Sequence, residues 1–351
     1  MERGRRPDFL CIGAAKAGTT WLYRVLATCP GYWMPPVKEL RYLLLRELRL
    51  SRDRNAQNQI RSILKEIQAH APMVQSGSIA ESERAWFRHY VLTERKDPAW
   101  YFGLFSQAGD RLTGDISPGY ALLRDPPAVG KFLPNAKVIF ISRNPVDRDL
   151  SHAVHHAVIS ALGMPKGRAL ALHLAKLLNI AGSDDEKIEA LRARHSHLPL
   201  EEMDWFEIYA RETGTAISTD DLLATLNVKV TAADVRPWLS KPAMIQQQQL
   251  GAIIRRWTDV FGERFHTFRF EDLVSDPANF ISDVTSVLGY NSLPEDPSIL
   301  NTIVNSGAHD IEGLDELRAE LFTAQHQSAN ESLAPEESHA RSHPASATFR
   351  A

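Results

Sequence analysis

Cysteine is scarce in this chain: only Cys11 and Cys29 occur among 351 residues. Two are too few for a disulfide framework, and they offer no metal-ligand spacing of the C-x₂-C kind. A reducing, cytoplasmic setting is therefore expected. Long apolar runs are missing as well, since no stretch approaches the roughly 18 apolar residues a membrane span needs. The chain reads as soluble. Neither sign of charge dominates: 40 basic against 43 acidic residues leave a net charge of −3, so nothing global draws the protein to nucleic acid or to an anionic membrane surface. Phosphate recognition, if present, must be local. There is no internal repeat, and 44% hydrophobic with 24% charged residues excludes collagen, coiled coil and wholesale disorder.

The amino-terminal region carries Arg3, Arg5 and Arg6 ahead of an apolar stretch at 9–15, an order that resembles a signal peptide. The stretch is short and ends at Lys16, and a glycine, two threonines and an amphipathic segment follow it instead of a small-residue cleavage site. It reads as a buried strand. Further strands are expected at 112–116, 137–142 and 266–270, beside the first at 9–13. Helices are expected at 20–27, 146–161 and 246–261, the last preceded by a glutamine run that suits a solvated first turn. Short apolar strands separated by longer helical stretches predict a three-layer α/β fold, a P-loop-like, mostly parallel sheet flanked by helices.

Two regions fall outside that alternation, about 43–108 and about 162–240, and read as helical insertions placed over the carboxyl ends of the strands. A single domain over 1–334 is expected. Residues 335–351, rich in Ser, His, Ala, Pro and Glu, read as a disordered or loosely attached tail. Trp205, Trp238 and Trp257 are expected to serve packing.

The first candidate site follows the first strand: Gly13-Ala-Ala-Lys16-Ala17-Gly18-Thr19-Thr20-Trp21 is a small-residue turn that opens a helix. Backbone N–H groups and the positive end of a helix dipole converge there, and glycine lets a phosphate come close. Against the Walker A spacing G-x-x-x-x-G-K-S/T, the glycines match but the lysine precedes the second glycine by two residues. It would reach a bridging oxygen or leaving group from the loop itself, and no Mg²⁺-binding position is evident. A bare glycine turn serves any α/β unit about as often as it binds phosphate; the added lysine, threonines and tryptophan favour a site.

The second lies after the third strand, where Arg143 can fork onto another phosphate and Ser151, eight residues on, can point back at it from the following helix. Alone, an arginine there is more often an ion-pair partner. Two phosphate sites together imply a doubly phosphorylated nucleotide.

Both motifs resemble those of the sulfotransferases that use 3′-phosphoadenosine 5′-phosphosulfate (PAPS): Ala15-Lys-Ala-Gly-Thr-Thr-Trp21 is similar to their 5′-phosphosulfate loop, and Arg143-Asn-Pro-x-Asp-Arg-x-x-Ser151 to their 3′-phosphate motif. Pro35-Pro-Val-Lys-Glu-Leu-Arg-Tyr42, Gly114-Asp-Ile-Ser-Pro-Gly-Tyr120 and Phe270-Glu-Asp-Leu with Asp276-Pro277 resemble further segments of the heparan-sulfate and bacterial carbohydrate branch. The likeness spans roughly residues 8–330. It implies sulfuryl transfer from PAPS to a hydroxyl or amine of a carbohydrate or small molecule, leaving adenosine 3′,5′-bisphosphate (PAP), with no metal. It further implies Lys16 at the leaving phosphate and the loop from Ala17 through Gly18, Thr19, Thr20 and Trp21 around the 5′-phosphate. Arg143 and Ser151 would hold the 3′-phosphate, and Glu39 would act as base.

Arg41 and Ile116 depart from that branch's histidine and lysine, so its substrate specificity is not inherited. Arg41, as a contact for an anionic acceptor, and Asp115, Ser117, Tyr120 and His155 are candidate acceptor contacts. Lys38 could instead hold Glu39 in an ordinary ion pair, and Asp115, Ser117 and Tyr120 could serve a turn. His152, His155 and His156 share a helical face but have no further ligand nearby. A P-loop kinase is the runner-up, and a nucleotide-binding interaction protein without catalysis is another reading. The oligomeric state is open.

Overall fold

A computed structural model describes residues 4–75, 77, 79–195, 205–241, 249–301 and 310–333. Four strands form one parallel sheet: β1 (Phe9–Gly13), β2 (Gly114–Ile116), β3 (Lys137–Ser142) and β4 (Phe265–Arg269), in the order β2-β1-β3-β4. β1 is buried throughout, and so are Val138 to Ile141 in β3. Sandwiching between helices explains why both read as unbroken apolar runs. The basic residues ahead of β1 do not lead into a detached segment: Arg5 bonds Asp8 at 2.8 Å, and Phe9 is in the core.

Two strands differ from expectation. β2 is shorter because Leu112 instead forms an isolated bridge with Tyr32. β4 lies one residue earlier because Phe270 already opens the next helix, Phe270–Ser275.

The helix Thr19–Thr28 buries Trp21, Leu22, Val25 and Leu26 against the sheet, the spacing of one helical face. The helix Pro145–Leu162 begins after Asn144, whose Oδ1 accepts from Val146 N at 3.0 Å, and stops at Gly163. Proline in the first turn and a left-handed glycine at the end are its start and stop signals. The helix expected at 246–261 spans Leu250–Phe261; residues 246–248 of the glutamine run, like the tail at 335–351, lie outside the described residues.

Both insertions are helical, but they are built differently. In the first, the helices Arg54–Gln68 and Glu81–Leu92 send Ile63, Ile67, Trp86, Phe87 and Tyr90 into the same core as the sheet. In the second, the helices Lys166–Leu177, Asp184–Arg194 and Trp205–Thr213 pack Leu174, Leu191 and Ile208 into a separate cluster. Trp257 is fully buried, Trp205 borders that separate cluster, and Trp238 stacks on His156. Cys11 and Cys29 are both buried and free, and burial pushes their thiols up to about 12 and about 11.

Candidate active site

The sheet order creates the site. From β1 the chain crosses to β2 on one side, whereas from β3 it crosses to β4 on the other. Loops leaving β1 and β3 therefore diverge, and a crevice opens at their carboxyl ends, where open α/β sheets bind ligands. The two loops singled out in the sequence meet there: Arg143 Nη1 donates to the Lys16 carbonyl at 2.7 Å.

In the first loop, Lys16 and Gly18 both hold positive φ, 64° and 78°. Glycine adopts this conformation freely, whereas at lysine it is strained. No side chain caps the helix Thr19–Thr28. Its first amides, of Thr19, Thr20 and Trp21, therefore have no cap side chain to bond. Thr19 is buried, as is Ala17, whose N–H bonds the Ala14 carbonyl at 3.3 Å. Trp21 turns its indole away, donating to the Leu300 carbonyl at 3.2 Å.

The Lys16 ammonium is pushed down to about 8, first by burial and then by the charges of Lys166, Arg143 and Lys38. Four cations thus converge, and Glu39 is the opposing carboxylate that acts on Lys16. Lys166 was not legible as a site residue. It is buried at the start of its helix, with Nζ 3.2 Å from Thr219 Oγ1, and no motif around it marks it in the sequence.

Phe270-Glu271-Asp272-Leu273 braces both loops from behind. A Cβ on Gly18 would run into Leu273, the Arg143 guanidinium lies 4.5 Å above the Phe270 ring, and Glu271 accepts from Asn144 N at 3.0 Å. Ser151 sits half-buried in the second turn of the helix after Arg143.

Glu39 reaches the crevice from the segment before the first insertion. Its backbone N–H donates to Ile116 at the end of β2, at 3.2 Å. Leu40 is buried, and the residues either side of it, Glu39 and Arg41, are both left-handed at 63° and 54°. The Glu39 carboxylate takes Lys38 Nζ at 2.7 Å and Arg41 Nη2 at 2.9 Å. Burial alone would raise its pKa, but these two cations overcome that and hold it below the usual carboxylate range.

Beneath this segment lies a buried polar network. Asp115 accepts from Tyr120 and Tyr101 hydroxyls at 2.7 and 2.9 Å and from Ser117 at 2.7 Å. Ser117 in turn receives the Arg41 N–H at 3.3 Å, and Tyr120 that of Leu43 at 3.2 Å. Asp115, Ser117 and Tyr120 thus form the floor on which Glu39 and Arg41 rest.

His155 and His152 are neutral, pushed down to about 3 and about 4 by burial first, and then by Lys16 and the neighbouring histidines. His155 also feels Lys166. Among the described residues, no group of three or more His, Cys, Asp or Glu is arranged to hold a metal.

The family model described as "Sulfotransferase family" matches residues 7–198. The chain belongs to the sulfotransferase family. The solved structures similar to this sulfotransferase include the following three. The sulfotransferase from Alicyclobacillus acidocaldarius is 20% identical, with 93% of this chain and 95% of that one covered and a TM-score of 0.42. The sulfotransferase domain from the curacin biosynthetic pathway is 16% identical over 87% and 82%, TM-score 0.35. The sulfotransferase domain from the Synechococcus PCC 7002 olefin synthase is 16% identical over 92% and 96%, TM-score 0.37. Comparison with curated protein sequences gives no match. The sulfotransferase's sheet is parallel and flanked by helices, as the α/β reading expected. Among the described residues, no helix is long and apolar enough to cross a membrane.

Proposed function

We propose that this sulfotransferase moves the sulfuryl group of PAPS to a hydroxyl of a small-molecule or carbohydrate acceptor. The observation that carries the reading is the junction of the two loops, Arg143 on the Lys16 carbonyl, beside an uncapped helix N-terminus. A nucleotide with phosphates at both ends of its ribose suits two adjoining anion sites.

The bound co-substrate supplies an activated sulfur with PAP as leaving group. Around it, the amides of Thr19 to Trp21 and the two threonine hydroxyls hold the 5′-phosphate, and Lys16 neutralises the charge that grows on its bridging oxygen. Arg143 and Ser151 hold the 3′-phosphate. The acceptor oxygen attacks sulfur in line as the S–O bond to the phosphate breaks, and its proton passes to Glu39, which is ionised at neutral pH. Positioning and charge stabilisation do most of this work, as in phosphoryl transfer.

Calorimetry with PAP and with ATP plus Mg²⁺ tests the nucleotide: PAP is expected to bind more tightly, and a preference for ATP overturns the reading in favour of a kinase. Sulfuryl transfer from labelled PAPS should fall about 10²–10³-fold in Lys16→Ala, the loss typical of removing one transition-state donor. Wild-type protein that binds PAP yet transfers nothing across a broad acceptor panel would instead mark a binding protein.

A further inference from the structure

A cavity of about 270 Å³ is lined by Thr20 of the phosphate-loop helix and by Glu39 and Arg41. The first insertion contributes Glu66, His70 and Tyr90 to its wall. It therefore touches the loop, the carboxylate expected to take a proton, and residues that belong to neither motif. Its volume is just under the roughly 300–1,000 Å³ of sites for drug-sized ligands, room for one ring.

The charges along this cavity are already matched. Arg41 gives Nη2 and Nε to Glu39 Oε2 at 2.9 and 3.3 Å, and Nη1 to Glu66 Oε2 at 2.5 Å. Lys38 is bonded to the other Glu39 oxygen. Two cations face two carboxylates, and the guanidinium is engaged on both sides. His70 is neutral, lowered by burial, with Nδ1 3.0 Å from the Glu66 carbonyl oxygen. The His70 ring stacks on Phe87 and meets Tyr90 edge-on at 5.6 Å, giving the wall an aromatic, uncharged character.

We propose that this cavity is the acceptor pocket, that it takes the ring of a neutral hydroxyl-bearing molecule, a sugar or a phenol, and that Glu66 excludes anionic acceptors by occupying Arg41. The proposal rests on the sulfuryl-transfer reading. An acceptor carboxylate would find no uncommitted cation along the wall and would meet both Glu39 and Glu66. A neutral ring can lie against Tyr90 and His70 with its hydroxyl toward Glu39. An aromatic face binds the C–H face of a sugar or an aryl ring alike.

The test titrates the full chain calorimetrically, with and without PAP, using pairs that differ in one carboxylate: glucose against glucuronate, and tyrosol against 4-hydroxyphenylacetate. The neutral member of at least one pair should bind at least tenfold more tightly, and the pair that shows this separates sugar from phenol. Glu66→Gln, at a half-exposed side chain, should narrow that ratio about tenfold. The proposal is overturned if the anionic members bind as well, if none of the four binds at millimolar concentration, or if Glu66→Gln leaves the ratio unmoved. Failure of PAP to bind would overturn the sulfuryl-transfer reading instead, and the titrations without PAP judge the pocket separately.

Discussion

Lys16 shows how the environment of one residue sets the conditions for its use. Its ammonium, near pH 8 in the free protein, sits among Lys166, Arg143 and Lys38 with Glu39 as the opposing charge. A bound phosphate adds negative charge and raises that pKa, so above pH 8 binding must take up a proton. PAP affinity is therefore expected to fall as pH rises from about 8 toward 10, with proton uptake visible as a dependence of calorimetric heat on the buffer. Lys16→Ala should flatten the profile in that window, and an unchanged slope would contradict the assignment. The motif lysine was legible in the sequence because glycines and threonines frame it. Lys166 was not, because its approach to Lys16 depends on how the second insertion folds back, and nothing local to residue 166 encodes that. Asp115 was legible only in part: one hydroxyl donor, Tyr101, comes from the first insertion, which the spacing around 115 cannot show.

At the scale of elements, the two phosphate loops are held by a third piece of chain. The Phe270–Ser275 helix presses against Gly18, supports Arg143 and bonds Asn144. Gly18→Ala would place a Cβ in a left-handed backbone, at a cost of roughly 1–2 kcal/mol, and would drive it into Leu273. Thermal unfolding should begin at a lower temperature, and PAP binding should weaken about tenfold; a variant with full affinity would show that the loop does not need this close approach. β1 and β3 were readable because central strands buried on both faces carry unbroken apolar runs, Phe9 to Ile12 and Val138 to Ile141. The edges of β2 and β4 were less so, since Leu112 chose Tyr32 as its partner and a helix claimed Phe270.

For the whole molecule, the difference between the insertions matters. The first shares the core of the sheet, whereas the cluster of Leu174, Leu191 and Ile208 packs on its own. Local opening is easiest where buried contacts are few and separate from the main core. Hydrogen exchange followed by mass spectrometry should therefore show Lys166–Leu177 and Trp205–Thr213 exchanging faster than β1 and β3; equal protection would mean the second insertion is as firmly tied as the sheet. The helical nature of both insertions was evident in their sequences. Which one joins the core was not, because it depends on where their apolar faces land.

The burial of Cys11 and Cys29 has a practical side. With both thiols enclosed and their pKa values raised, the folded chain presents almost no thiolate to an alkylating dye. A single cysteine placed at the exposed Leu177 would carry the fluorophore alone, without prior removal of the native pair, and would report from the end of the helix that begins at Lys166 whether nucleotide binding draws the second insertion toward the crevice.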